Sequence, residues 1–161
     1  MAYPDSADLS NLVNSAGTQE RAYALPGYLY YDPAVYAREQ SQIFNRSWQY
    51  VCHVSRIVNP GDYCVRDIGD QSIVVVRGND GTVSAFHNVC QHRAHRLVEG
   101  AGNTGSAITC PYHNWSYELG GALRHAPKSE HVVDFNKSAI CLSGVRVEDL
   151  CGFIFVNLDP G

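Results

Sequence analysis

Two short couples of metal-binding residue types constrain this chain more than any other part of it: Cys90-Gln91-His92 and Cys110-Pro111-Tyr112-His113. Two thiolates and two imidazoles can surround a tetrahedral zinc ion. The same four groups can hold a [2Fe–2S] cluster in which one iron takes both cysteines and the other takes both histidines. Zinc fingers usually pair like with like, because each pair closes one turn around a single ion. Here each couple is mixed, and one residue separates Cys90 from His92, a short span for two side chains on one metal. Two irons remove the difficulty, since each couple gives its cysteine to one iron and its histidine to the other. The cluster is the leading reading of Cys90, His92, Cys110 and His113, and a structural zinc module is the minor alternative.

Composition narrows the class by exclusion. A chain of 161 residues supports one domain with room for a terminal extension. Its formal charge of −4 argues against broad nucleic-acid binding, which shows a basic surplus. No apolar run approaches the ~18 residues that a bilayer span requires; the longest are Ile73–Val76 and Phe153–Val156. The first residues lack the charged start and apolar centre of a secretory signal. A cytoplasmic protein without membrane or nucleic-acid partners is expected. Cys52, Cys64, Cys141 and Cys151 lie in apolar, strand-like segments without a secreted disulfide spacing, and are expected to be small buried thiols.

Along the chain, residues 1–47 read as an N-terminal arm and one α-helix, and residues 48–161 as the domain that carries the couples. Residues 1 to about 22 are polar and aperiodic, as a terminal arm is. Asp32-Pro33 is a helix start, and the helix is expected to run to about Arg46 with Tyr36, Ile43 and Phe44 on one face. Short strand-like runs follow: Trp48–Cys52, Tyr63–Asp67, Ser72–Arg77, Thr82–His87, Ala107–Thr109, Val145–Glu148 and Phe153–Asn157. Asn79-Asp80-Gly81 reads as a hairpin turn, with Asp-Gly supplying positive φ angles, and Glu118-Leu119-Gly120-Gly121 as another. The class is mainly β, in small antiparallel sheets.

The flanks of both couples carry a family resemblance. His87-Asn88-Val89-Cys90-Gln91-His92-Arg93-Ala94 and Thr109-Cys110-Pro111-Tyr112-His113-Asn114-Trp115-Ser116-Tyr117 resemble the two cluster loops of Rieske non-haem iron oxygenases. That family includes the large (α) subunits of aromatic-ring-hydroxylating dioxygenases and related monooxygenases and demethylases. The likeness extends upstream through Leu25–Tyr30, the helix-like stretch to Phe44 and Trp48–His53, and downstream through Gly152–Leu158. It implies a Rieske-type antiparallel β-sandwich with both cluster-binding loops at one end. Respiratory members carry an extra cysteine in each loop, where this chain has His95 and Tyr112, so the likeness is to the oxygenase and ferredoxin branch. The family's usual glycine after the second histidine is Asn114, the side chain best tolerated at positive φ. Pro111 is expected to stiffen the second loop and shield the cluster. Trp115 reads as packing beneath that loop or as an ordinary core aromatic. Arg93, with His95 and Arg96, reads as a docking surface for an acidic donor, as a face toward a neighbouring subunit, or as a solvated run. His87 is expected to fix its loop by a hydrogen bond, and His53 to be a strand histidine.

In the resembled family, electrons pass from the cluster to a mononuclear Fe(II) held by two histidines and a carboxylate in a C-terminal catalytic domain, where O2 is activated. The resemblance implies that this domain is absent from the chain, which stops at Asn157-Leu158-Asp159-Pro160-Gly161, where the Rieske domain would end and the catalytic domain begin. His125, His131 and Asp134 lie in loop-like sequence whose spacing does not match such a triad. The resemblance therefore implies one-electron transfer. A reductase or ferredoxin would supply the electron, and a catalytic domain of the same or a neighbouring subunit in a homo-oligomer would receive it. A free-standing Rieske ferredoxin is the alternative, and the arm and helix before Trp48 stand against it.

Overall fold

The computed structural model describes residues 25–129 and 131–161, so the arm expected over residues 1 to about 22 lies outside the described residues. The chain divides into two compact units, residues 1–43 and 44–161. In the first, Pro33–Gln42 forms helix α1. Its start follows the sequence signal: Asp32 Oδ1 accepts from the Ala34 N–H at 2.8 Å, and Pro33 takes the first helical position. Its end does not. The helix stops at Gln42, because Ile43 swings to φ −116° while its N–H closes the last turn on Glu39, and Phe44–Arg46 is a separate 3-10 turn. Tyr36, Ile43 and Phe44, expected on one face, are all exposed, and Val35 is the buried residue of α1. Among the described residues no helix is long and apolar enough to cross a membrane.

The second unit holds two antiparallel sheets. The larger contains β1 (Gln49–His53), β2 (Asp62–Ile68), β3 (Gln71–Arg77), β4 (Val83–His87), β5 (Ala101–Asn103), β9 (Gly144–Leu150) and β10 (Phe153–Asn157), in the order β1-β10-β9-β4-β3-β2-β5. The smaller contains β6 (Ile108–Thr109), β7 (Ser116–Tyr117) and β8 (Leu123–His125). This is the mainly β, antiparallel architecture that the sequence implies. Strands β5, β7 and β8 have no counterpart among the expected strands, since two or three residues leave no period-two pattern to find.

β3 explains how the pieces cohere. Ile73, Val74, Val75 and Val76 have no exposed surface. Ile73 and Val75 face a core with Ile57, Ile68, Ala85, Ile154 and Val156, while Val74 and Val76 face a second core with Phe86, Leu97, Ile108, Trp115 and Tyr117. A strand buried on both faces reads as an unbroken apolar run, which is what the sequence shows. Each such side chain contributes about 1.5–3 kcal/mol over its exposed state. The large sheet also curls, so that β1 at its end lies against β2.

Two hairpin turns share one construction. The Gly78 N–H donates to Thr82 O at 2.8 Å and the Gly81 N–H to Gly78 O at 3.1 Å. The Glu118 N–H donates to Ala122 O and the Gly121 N–H to Glu118 O, both at 2.8 Å. In each the fourth residue is left-handed, Gly81 at φ 83° and Gly121 at φ 91°. The positive angle expected of Asp80 is absent: its carboxylate instead accepts from the Thr82 N–H at 3.0 Å and hydroxyl at 2.7 Å. The turn with two left-handed residues is Cys151-Gly152, φ 53° and 85°, between β9 and β10. Cys151 therefore sits exposed at a hairpin tip and Cys141 is also exposed, whereas Cys52 and Cys64 are buried as expected.

Glycine geometry yields a test. Gly61 and Gly81 have nearly the same φ, 84° and 83°, but a Cβ on Gly61 would collide with the Gly105 carbonyl, whereas one on Gly81 meets nothing within 4 Å. Gly81→Ala should cost about 1 kcal/mol and Gly61→Ala about 2–4 kcal/mol, measured by urea unfolding.

Candidate metal centre

Each sheet contributes one loop. Residues 88–100 leave β4 and return as β5, and residues 110–115 join β6 to β7. The first loop is anchored by Asn88, which has no exposed surface. Its Nδ2 donates to Val98 O at 2.7 Å and Ser72 Oγ at 3.2 Å; its Oδ1 accepts from the Val98 and Leu97 N–H groups at 3.1 and 3.2 Å. One side chain thus clamps both legs of the loop to β3. The expectation put this role on His87, whose bonds are through the backbone, its N–H donating to Ser143 O at 2.9 Å.

Beyond that anchor the loops make the same six-residue turn. The Ala94 N–H donates to Cys90 O at 3.0 Å and the Cys90 N–H to His95 O at 2.9 Å. The Asn114 N–H donates to Cys110 O at 3.0 Å and the Cys110 N–H to Trp115 O at 2.8 Å. The fourth residue after each cysteine is left-handed, Ala94 at φ 55° and Asn114 at φ 58°. Asn114 was legible as such a residue and Ala94 was not, because alanine has no side-chain preference for that region.

These turns bury Cys90 and Cys110 to 2 % exposure and bring their thiols within mutual reach. The rings of His92 and His113 lie outward of them, centroids 4.8 Å apart. His113 Nδ1 is buried without a hydrogen-bond partner. A buried lone pair left unmet costs free energy, and a metal would satisfy it. Burial, and then the charges of His92, Arg93, Lys128 and His95, hold His113 below the ordinary histidine range, which favours its neutral form.

Cys90 is pushed up by burial, while the Tyr117 hydroxyl and the His92 amide pull it down. Tyr117 is fully buried; its oxygen accepts from the Gln91 N–H at 3.0 Å and lies 3.2 Å from Cys90 Sγ. Burial and the contact with Cys90 hold the phenol above its ordinary range, so it keeps a proton that it can donate to the sulfur. Tyr117 was missed from sequence; the signal was a polar-tipped aromatic closing the second motif.

Trp115 stacks on His92, centroids 4.7 Å apart and planes at 8°, and receives Phe135 edge-on at 5.8 Å. It packs under the loops and fixes a ring plane. Across the site, Tyr112 lies 5.5 Å from His95 and 3.8 Å from His113. Pro111 and Arg93 are exposed on the two loops, and Arg96 bridges to Asp67 at 3.0 Å on the surface, an exposed pair worth at most about 1 kcal/mol. His53 ends β1 and its Nδ1 accepts from the Ser55 N–H at 3.3 Å.

Among the described residues no three His, Cys, Asp or Glu groups converge where a single ion could be held. Buried thiols, outward imidazoles and an unmet ring nitrogen fit a group with two metal atoms.

Residues 47–136 match the Rieske [2Fe-2S] domain, and the chain belongs to that family, whose cofactor is a [2Fe–2S] cluster. Among characterised proteins it is 41% identical over 147 residues to the carnitine monooxygenase oxygenase subunit of Escherichia coli (strain K12), covering 91% of this chain and 39% of that protein. It is 43% identical over 136 residues to the glycine betaine monooxygenase oxygenase subunit of Chromohalobacter salexigens, covering 84% and 30%. The crystal structure of a quaternary ammonium Rieske monooxygenase with L-carnitine superposes with a TM-score of 0.82 at 38% identity, covering 87% of this chain and 40% of that one. The chain therefore spans about two fifths or less of the length of these relatives.

Two substitutions separate tuning from anchoring. Tyr117→Phe removes a donor to sulfur worth about 1 kcal/mol and should lower the midpoint potential by roughly 40–60 mV in a redox titration. Asn88→Ala strands the Val98 amide, leaves the Leu97 amide only its long bond to the residue 88 carbonyl, and should cost about 3 kcal/mol in thermal or urea unfolding.

Proposed function

We propose that this chain is the electron-transferring N-terminal domain of a Rieske oxygenase α subunit. One observation carries most weight: two buried thiols beneath two adjoining imidazoles, with the buried Nδ1 of His113 unmet. Cys90 and Cys110 would hold one iron and His92 and His113 the other. When bound, the cluster supplies one-electron chemistry at a potential set by its ligands, by hydrogen bonds to sulfur and by exposure. The chain supplies the setting. Cys90 and Cys110 exclude water from the thiolate side, Tyr117 and the His92 amide stabilise charge on Cys90, and Trp115 holds the His92 ring. His92 reaches the surface, where an imidazole can hydrogen-bond across an interface and mark the electron exit.

The remainder concerns the whole protein. Arg93 and Lys128, beside His113, form a positive rim suited to an acidic reductase or ferredoxin. The acceptor would be a mononuclear Fe(II) in a catalytic domain of the same or a neighbouring subunit of a homo-oligomer. The likeness to carnitine and glycine betaine monooxygenase subunits favours a quaternary ammonium substrate for that domain. A cytoplasmic location suits six cysteines without a disulfide.

The test begins with iron and sulfide reconstitution. Cys90→Ser or Cys110→Ser should abolish the cluster and loosen both loops, because site formation is coupled to folding. His92→Cys or His113→Cys should retain a cluster of lower potential. Unchanged spectra and potentials in those variants would sink the ligand assignment. The potential should also fall at alkaline pH, since the oxidised metal favours loss of the remaining ring proton. Mixed with a reductase and a quaternary amine, the chain should be reduced without forming product, and product from the pure chain would overturn the division of labour.

A further inference from the structure

A second pair of cysteines lies away from the loops. Cys52 on β1 and Cys64 on β2 are 5% and 6% exposed and belong to one core. Their strands are not hydrogen-bonded neighbours; the curl of the large sheet brings them together. At this seam no strand pairing joins β1 to β2. The Cys52 thiol lies within hydrogen-bonding reach of Cys64, with Arg56 and Arg77 near enough to act on its charge. Both cysteines line a cleft of about 560 Å³ with Tyr50, His53, Arg56 and Gly100, so the sulfurs are shielded by side chains yet reachable by a small solute.

We propose that Cys52 and Cys64 form a peroxide-responsive dithiol that closes to a disulfide across the seam between β1 and β2. The oxidant is hydrogen peroxide, small enough for the cleft. Burial and the neighbouring Cys64 push Cys52 up to about 12, which suits Cys52 to resolve rather than to attack, and the attack falls to Cys64. The Cys64 thiolate, having given its proton to solvent, bonds to one peroxide oxygen as the O–O bond breaks. The hydroxide released takes the proton of Cys52 and becomes water. The Cys52 thiolate then attacks the Cys64 sulfenic sulfur, forming S–S as S–O breaks, and the second hydroxide takes up the proton first lost to solvent. Two thiols and one peroxide give one disulfide and two waters. Cys64 pairs with Ala101 and Val65 bonds to Gly100 at the returning leg of the first cluster loop, so the staple would tie that leg's support to β1.

The cluster-loaded chain can be treated with hydrogen peroxide, alkylated and digested with trypsin. Arg46, Arg56 and Arg66 place Cys52 in Ser47–Arg56 and Cys64 in Ile57–Arg66. The expected product is these two peptides joined, two hydrogens lighter than their sum, and separated again by a dithiol reductant. In Cys52→Ser, Cys64 should stop at a sulfenic acid that dimedone traps, and Cys64→Ser should leave Cys52 unlabelled. The wild-type result needs no variant to fold. Recovery of both peptides free and alkylated, at peroxide levels that already oxidise the exposed Cys151, overturns the proposal. So does a Cys90–Cys110 linkage formed while Cys52 and Cys64 remain free.

Discussion

With no solvent around Asn88, every polar atom of its side chain must be met by protein, and the partners available lie on two different stretches of chain. Ser72 belongs to β3, the strand packed on both faces, so the amide ties the first loop to the most rigid part of the core. Leu97 and Val98 belong to the loop's return, so the same amide sets how wide the loop can open. Cys90 lies two residues from this joint and inherits its position. Tyr117, rising from the smaller sheet, then bonds both Gln91 and Cys90 and fixes the second loop's strand to the first loop's turn. Were the amide lost, the desolvated N–H groups it serves would have to reach water, and the loop would open to let them.

The chain buries two pairs of thiols in one small fold and gives them unlike surroundings. Around Cys90 the fold supplies an O–H and an N–H donor, which favour a charged sulfur. Around Cys52 the hydrogen-bonding neighbour is Cys64, itself a thiol, and burial outweighs the nearby arginines. Burial pushes both thiols up, but only at Cys90 do hydrogen-bond donors oppose it. Residue type and burial alone do not distinguish them; the donors do.

What could be read from sequence depended on whether a residue's role is local. The couples, the capped start of α1 at Asp32-Pro33 and the left-handed Asn114 are encoded by neighbours a few positions apart, and each was legible. The strand over Ser72–Arg77 was legible for the same reason, though its burial on both faces was not among the expectations. Asn88, Tyr117 and Ala94 gave no such signal. Asn88 acts through Ser72 and Tyr117 through Cys90, 16 and 27 positions away, and Ala94 is held left-handed by its turn against its own preference. Apolar neighbours misplaced Cys151, because exposure at a hairpin tip is set by the turn, and Cys141, which is exposed at an isolated bridge to Ala122. The early end of α1 belongs here as well, since Ile43 and Phe44 continue an apolar pattern across a break in the backbone.

The two loops are one turn used twice, and the unequal spacing of the couples is a difference of phase. Counting from each cysteine, the second residue of one turn carries a ring that meets the fifth residue of the other: His92 against Trp115, and Tyr112 against His95. This is the exchange that an approximate two-fold axis between the loops produces. Had both imidazoles stood at the second step, that axis would have sent them to opposite flanks, one beside Trp115 and the other beside His95. Moving the second imidazole one step along, to His113, brings it against His92 instead. A single residue of offset thereby turns a symmetric cradle into a polar one, with a sulfur end and a nitrogen end, and gives whatever it holds a front and a back.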